Sequence, residues 1–339
     1  MAVLSNQYVT LADLGKMMDK KGNMVPEIIE MLNETNPILD DMPWIECNNG
    51  TQHLTTVRAG IPKPTWRRLY QGVAPNKAGN TQVTDTCGMM EAWSEVDSKL
   101  VEMSKNPALL RLHEADAHIE GMNQEMASTL FYGNTKTDPE KFDGLSPRFD
   151  DLSAATNRTQ IIDAGGSGSD NTSIWMVVWS PRTAHGLYPE SSSAGLQRTN
   201  KGMQTKEVGD GTLYDVHREK FTWDCGLTVR DWRYIVRVAN IDVSDMAAGS
   251  TDMFGLLRSG FWKWKQRQRS TGRAVIYCNS DVCEALDSQA TPTVATSATT
   301  SSGNVRLGRQ EIEGKEIMTY RGTPIREVDA ILNTEDRVV

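Results

Sequence analysis

Apolar residues recur every three or four positions along one long stretch of the chain. Leu109, Leu112, Ala115, Ile119, Met122, Met126 and Leu130 lay a single apolar stripe on a helix predicted over about 107–132. Asn106 is placed to cap it, Pro107 suits its first position, and Gly133 stops it. At 1.5 Å per residue the helix is roughly 39 Å long, far beyond a mean helix of about 11–12 residues, and can span a whole domain. Elsewhere the pattern is mixed. Residues 174–179 are an unbroken apolar run of strand length, which predicts a strand buried on both faces. Ser180-Pro181 predicts the start of a short helix. Residues 227–243 alternate, with Trp232, Tyr234, Val236 and Val238 facing one way and Arg233, Ile235 and Arg237 the other, which predicts one strand with a wet face. Thr251-Asp252 can cap a helix reaching about Gln268. Residues 274–278 read as a strand feeding a helix capped near Ser280, and two last strands are expected over 315–320 and 323–328. The Thr/Ser-rich stretch 290–303 reads as a loop.

The first hundred residues behave differently. Short helices are expected from Thr10 to about Lys20 and from Pro26 through Leu32, separated by Gly22 and followed by Asn36-Pro37 and Met42-Pro43. Such pieces make a poor core and suit an arm lying along another surface. Residues 51–59 and 81–84 have strand character. Between them Pro62, Pro64, Gly72, Pro75 and Gly79 break any regular element. A long irregular stretch between paired strands suits a hairpin that projects and finds its order on a neighbour.

Charge sharpens this picture. Residues 24–46 hold Glu27, Glu30, Glu34, Asp40, Asp41 and Glu46 and no base, whereas 51–84 hold Arg58, Lys63, Arg67, Arg68 and Lys77 and no acid. Adjacent segments of opposite charge, each irregular, predict interlocking between copies of the chain, with charge setting register and partner choice. An acidic arm folded back on its own basic loop would leave the same pattern. The interface residues predicted here are Glu27, Glu30, Glu34, Asp40, Asp41, Arg58, Lys63, Arg67, Arg68 and Lys77.

With 339 residues, 38% hydrophobic and 24% charged, the chain is globular. No apolar run reaches the ~18 residues of a membrane span, and no charged and apolar leader opens it, so synthesis and use in a cytoplasm are expected. The net charge of −8 argues against a dedicated nucleic-acid binder. Five cysteines at irregular spacing read as free thiols. Candidate chemistry is sparse. His113 and His118 are five apart, about 140° around a helix, so they do not share a metal and read as surface residues. Cys278 and Cys283 miss the Cys-x-x-Cys spacing and read as small buried groups. The glycine-rich stretch 165–170 lacks the Lys-Ser/Thr of a phosphate loop, is preceded by no predicted strand, and reads as a flexible loop. Residues 261–269 mix cations and aromatics in a way that suits weak phosphate contact, or a helix with Phe261 and Trp264 packed inward. No catalytic set, cofactor site or metal site emerges.

Asn36-Pro37-Ile38-Leu39-Asp40-Asp41-Met42-Pro43-Trp44, Thr65-Trp66-Arg67-Arg68-Leu69, Met122-Asn123-Gln124-Glu125, Ser128-Thr129-Leu130-Phe131-Tyr132-Gly133-Asn134, Asp231-Trp232-Arg233-Tyr234 and Arg321-Gly322-Thr323-Pro324-Ile325-Arg326 follow one another over essentially the whole chain. Their order resembles tailed-bacteriophage major capsid proteins of the Hong Kong 97 fold, in the branch of epsilon-fifteen-type podophages. The resemblance implies an α+β capsid fold and a structural role instead of an enzyme. It implies an N-terminal arm (1–47), an extended E-loop hairpin (48–98) and a peripheral domain with the spine helix (99–150). It further implies a first axial part (151–195), return strands of the peripheral domain (196–249) and a second axial part (250–339). Pentamers and hexamers would build an icosahedral shell around double-stranded DNA, in a virion assembled in the bacterial host cytoplasm. The implied partners are further copies of the chain, a portal and a separate scaffolding protein, with weak non-specific contact to packaged DNA and no membrane; whether a decoration protein joins them stays open. Lys63 and Lys77 are donors suited to an isopeptide crosslink, but no acceptor is identifiable and non-covalent locking is expected. A cytoplasmic α/β enzyme and another virion component are the alternatives; sedimentation and ring symmetry in micrographs separate them.

Overall fold

The computed structural model describes residues 34, 36–154, 157–207, 211–264, 272–290, 307–312 and 315–339. The two arm helices expected before residue 33, the loop expected over 290–303 apart from Ala290 itself, and the cations Lys265, Arg267 and Arg269 lie outside the described residues. In chain order the elements begin with a one-turn helix α1 (Ile38–Asp41), then β1 (Trp44–Glu46), β2 (Gln52–Gly60), β3 (Gly79–Asp97), α2 (Ser98–Met103) and the long helix α3 (Pro107–Tyr132). Next come β4 (Ile161–Asp163), β5 (Asn171–Trp179), β6 (Ala184–Tyr188), β7 (Gln197–Glu207), β8 (Leu213–Val229) and β9 (Ile235–Asp242). The chain closes with α4 (Val243–Ala247), α5 (Met253–Lys263), β10 (Arg273–Cys278), α6 (Ser280–Ala290), β11 (Gly308–Ile312), β12 (Lys315–Tyr320) and β13 (Thr323–Glu327).

The strands form one connected network. Its main path runs β11-β12-β13-β10-β5-β6-β8-β3-β2, with β1 on β6, β9 on β5, β4 on β9 and β7 on β8. The core lies where β5, β9 and β10 are adjacent. Along β5, Trp175, Val177 and Trp179 enter one apolar cluster, and Ile174, Met176 and Val178 enter the cluster on the opposite face. β10 divides its residues in the same way, Val275 and Tyr277 on one side and Ile276 and Cys278 on the other. Because strand side chains alternate, a run with no polar residue is stable only when both faces are covered. The end of α3 covers the first face with Met126, Ala127, Leu130 and Phe131. Helices α4, α5 and α6 cover the second with Met246, Met253, Leu257, Val282 and Leu286.

Helix α3 begins and ends as its sequence predicts. The Asn106 side chain accepts from the Leu109 amide at 3.3 Å, and Pro107 opens the helix. Gly133 ends it for a different reason from the one expected. Its φ is −51°, so no left-handed cap is involved. Instead a Cβ at Gly133 has no room: it would lie 2.6 Å from the Thr129 carbonyl oxygen in the last turn of the helix and collide with the Phe142 carbonyl oxygen of the crossing 142–144 segment. The buried stripe includes Leu110, Ala127 and Phe131 and leaves Leu112 exposed.

Three predicted elements are corrected. Ser180–Thr183 form a tight turn into β6, not a helix, with the Thr183 amide donating to the Ser180 carbonyl at 3.0 Å. The alternating stretch 227–243 is two strands, because the Asp231 side chain caps a short 3-10 turn, Trp232–Tyr234, between β8 and β9. Beyond the turn both faces are buried, Arg237 included. The glycine-rich stretch 165–170 follows directly on β4 and packs on β9, with the Gly166 amide donating to the Asn240 carbonyl at 2.9 Å. Helix α5 ends at Lys263, and Trp264 is buried with its indole N–H on the Tyr234 carbonyl at 2.7 Å.

Candidate assembly interface

Strand β2 pairs with β3 alone, from Gln52–Thr86 out to Gly60–Gly79. β3 changes partner at Cys87: from there to Asp97 it pairs with β8. The ribbon beyond Cys87 is therefore a two-stranded projection, and a lone hairpin of this kind is marginal in water. Residues 61–77 at its tip are all exposed. Trp66 is fully exposed, Leu69 is 88% exposed and Ile61 82%. The local order is slight: the Arg67 Nε donates to the Gln71 carbonyl at 3.0 Å and the Asn76 amide to the Lys63 carbonyl at 2.6 Å. Exposed aromatic and aliphatic groups this dense are a feature of protein, membrane and ligand contact surfaces.

The predicted cations Lys63, Arg67, Arg68 and Lys77 stand on this tip, exposed, and form no ion pair among the described residues. Side-chain geometry at Arg58 is not described, and Glu27 and Glu30 lie outside the described residues. Glu34 sits against α3: its amide donates to Glu120 Oε1 at 3.0 Å and its carboxylate accepts from Asn36 at 3.3 Å. Asp40 faces solvent. Asp41 corrects the expectation. Its carboxylate is buried, accepts from the Tyr277 hydroxyl at 2.8 Å, and lies 2.8 Å from Arg273 and 3.3 Å from Arg326. Burial raises its pKa, an effect the Tyr277 hydrogen bond, Arg326 and Arg273 only partly offset. Asp41 therefore fastens the root of the arm to its own core and is not free to meet another copy.

The root of the ribbon is a polar joint that sequence spacing did not disclose. His53 and His185 are both buried, edge to face with centroids 5.6 Å apart. Arg230 contacts the His53 Nε2 at 2.6 Å, Asp85 is bonded to the Thr228 hydroxyl, and Arg148 lies 2.9 Å from Asp85. Burial pushes the His185 pKa down to about 4 and lowers that of His53, where Arg230 adds to the effect. On the face of the β3–β8 sheet toward α3, Glu219 ties α3 to β7 through Arg111 and Arg198, and on the opposite face Glu95 holds Lys206 and Arg218.

Nothing among the described residues assembles a reaction centre. No three His, Cys, Asp or Glu side chains converge on a metal site there. His118 is stacked on Phe221 at 5.7 Å and half-buried, which lowers its pKa, and His113 is half-buried too. Neither is the solvated surface residue expected. A cleft of about 230 Å³ between β3 and α3 contains Cys225, but burial pushes that thiol's pKa up and its proton faces the Met126 sulfur at 3.2 Å. The charged pair in the cleft, Lys141 and Glu125, is closed on itself at 2.8 Å.

The model of the family "Major capsid protein GP7" matches residues 19–339. A chain of the cryo-EM structure of bacteriophage Epsilon15 is 36% identical, over 100% of this chain and 99% of that one, with a TM-score of 0.77. The holo-SrpI encapsulin complex from Synechococcus elongatus PCC 7942 matches at 10% identity over 69% and 96% of the two chains, TM-score 0.46. The capsid of Myoviridae phage XM1 matches at 12% over 70% and 100%, TM-score 0.42. None of the curated protein sequences matches. A family match over nearly the whole chain, joined to a full-length structural match, shows that this chain belongs to the major capsid protein GP7 family and builds the shell of a bacteriophage virion on the Hong Kong 97 fold.

Proposed function

We propose that the chain assembles as pentamers and hexamers into an icosahedral shell around double-stranded DNA, and that copies lock non-covalently through the acidic arm and the basic hairpin. The observation that carries this reading is the hairpin tip: Trp66, Leu69 and Ile61 stand in water beside four cations that have no ion-pair partner among the described residues. The free energy of covering such a tip is available only in an assembly. Of the acidic residues, Glu34 and Asp40 are the described candidates to meet Lys63, Arg67, Arg68 and Lys77 of another copy, together with Glu27 and Glu30. Residues 48–98 act as the E-loop. Residues 99–150 and 196–249 form the peripheral part, and 151–195 and 250–339 the axial part. The chain works without catalysis, and its partners are a portal, a separate scaffolding protein and, weakly, the packaged DNA. Sedimentation of the purified full-length protein tests the reading: megadalton particles support it, and a stable monomer or dimer under all conditions contradicts it.

A further inference from the structure

Two thiols meet where the hairpin leaves the body. Cys47 follows β1 and Cys87 lies on β3, 40 positions later, with their sulfurs 3.3 Å apart. Both backbones are pinned. The Cys47 amide donates to the Tyr188 carbonyl at 2.9 Å, and the Cys87 amide to the Thr51 carbonyl at 3.0 Å. The turn between Cys47 and β2 is held by Asn48, whose side chain bonds both the amide and the carbonyl of Leu54. Room for the Cys87 sulfur comes from Gly226, where a Cβ would sit only 3.2 Å from it. Cys225 is not the natural partner. Cys87 is in register with Gly226 and Gly88 with Cys225, so Cys87 and Cys225 point to opposite faces of the sheet.

We infer that Cys47 and Cys87 form an intrachain dithiol site, which a disulfide oxidant such as oxidised glutathione converts to a disulfide that clasps the root of the hairpin to the strand after the arm. The exchange balances as follows. Cys87, the more accessible of the two, loses its proton to solvent, attacks one sulfur of the oxidant and releases one glutathione thiolate. Cys47, deprotonated in turn, attacks the Cys87 sulfur of the mixed disulfide and expels the second glutathione. Two protein thiols are oxidised and one glutathione disulfide is reduced to two thiols. Burial raises both thiol pKa values, so the reaction is slow at neutral pH and quickens as pH rises. A reducing compartment keeps the pair as thiols, and an oxidising medium lets it close. The link lies within one chain and is compatible with non-covalent contacts between chains.

The contrast is Cys278 with Cys283, also 3.3 Å apart but only five positions apart. Cys278 is wholly buried, and its link would close a small ring within one strand-to-helix junction.

The test uses the full-length protein, incubated with oxidised glutathione at pH 8.5, alkylated and mapped by non-reducing peptide mass spectrometry. The expected result is a peptide pair joined through Cys47 and Cys87, about 2 Da lighter than the sum of its thiol forms, lost on treatment with dithiothreitol, with Cys225 alkylated. Formation should be at least several-fold slower at pH 7 than at pH 8.5. The variant Cys225→Ser should retain the link. Cys47 and Cys87 both recovered as alkylated or singly glutathionylated thiols would overturn the inference, as would a Cys87–Cys225 link or a link at Cys278–Cys283 alone. The map of the unsubstituted protein decides the matter even where a cysteine variant does not fold.

Discussion

Removing Glu335 should be among the most damaging single changes available in the core. Its carboxylate lies 2.9 Å from Arg237 Nη2, accepts from the Tyr132 hydroxyl at 2.5 Å, and is bonded to the Ser173 hydroxyl. Its backbone amide donates to the Asn171 carbonyl at 2.9 Å. It thus fastens the C-terminal tail to the end of α3 and to β5 and β9. Arg237 is 2% exposed. In Glu335→Ala the guanidinium keeps its bond to the Phe149 carbonyl at 2.9 Å and its position over the Trp175 ring at 5.0 Å, but no counter-charge. Breaking one side of a buried pair costs about 3–5 kcal/mol, a large share of the ~5–15 kcal/mol that holds a typical fold. Urea unfolding of dissociated subunits measures it, as a lower midpoint at unchanged slope. The double variant Arg237→Met/Glu335→Leu removes both charges and should recover most of the loss. A Glu335→Ala loss below about 1 kcal/mol, or a double variant as unstable as the two single losses added, would refute the reasoning.

Other outcomes follow from the same geometry. Asn106→Ala removes the cap of α3 and should lower stability by about 1 kcal/mol in the same urea assay. Gly133→Ala forces the 142–144 segment away from Thr129 and should cost about 1–3 kcal/mol, visible as a reduced melting temperature. His185 has its folded pKa depressed to about 4 from 6.5, so it contributes stability that is complete above pH 6.5 and is lost as pH falls toward 4. That window should show a loss of up to about 3 kcal/mol, and His185→Gln should flatten it in a pH series of unfolding curves.

How far the sequence disclosed the fold depended on how local each cause was. Helix α3 was legible to its ends because its cap, its first proline and its stripe all lie within the helix. The run 174–179 was legible because an all-apolar strand has only one stable environment. Strand β7 was not, since its residues are largely polar and only Met203 is a large apolar side chain. What holds it is the ladder to β8 and the ion pairs of Glu219 and Glu95. Arg237 was placed on a wet face because alternation records polarity but not partners, and its partner Glu335 comes 98 positions later. Asp41 was misplaced in the same way, its counter-charges arriving with Arg273 and Arg326. The projecting hairpin was visible in advance from its prolines, glycines and uncompensated cations, whereas the histidine and thiol pairs at its root depend on strand register.

The central claim is that the exposed tip of the hairpin joins one copy to the next by charge and apolar contact. Electron microscopy of the purified protein beside its Arg67→Glu/Arg68→Glu variant tests it most directly, with circular dichroism confirming that both are folded. The account predicts closed icosahedral particles for the first and folded, unassembled subunits for the second. Normal particles from the variant would contradict it.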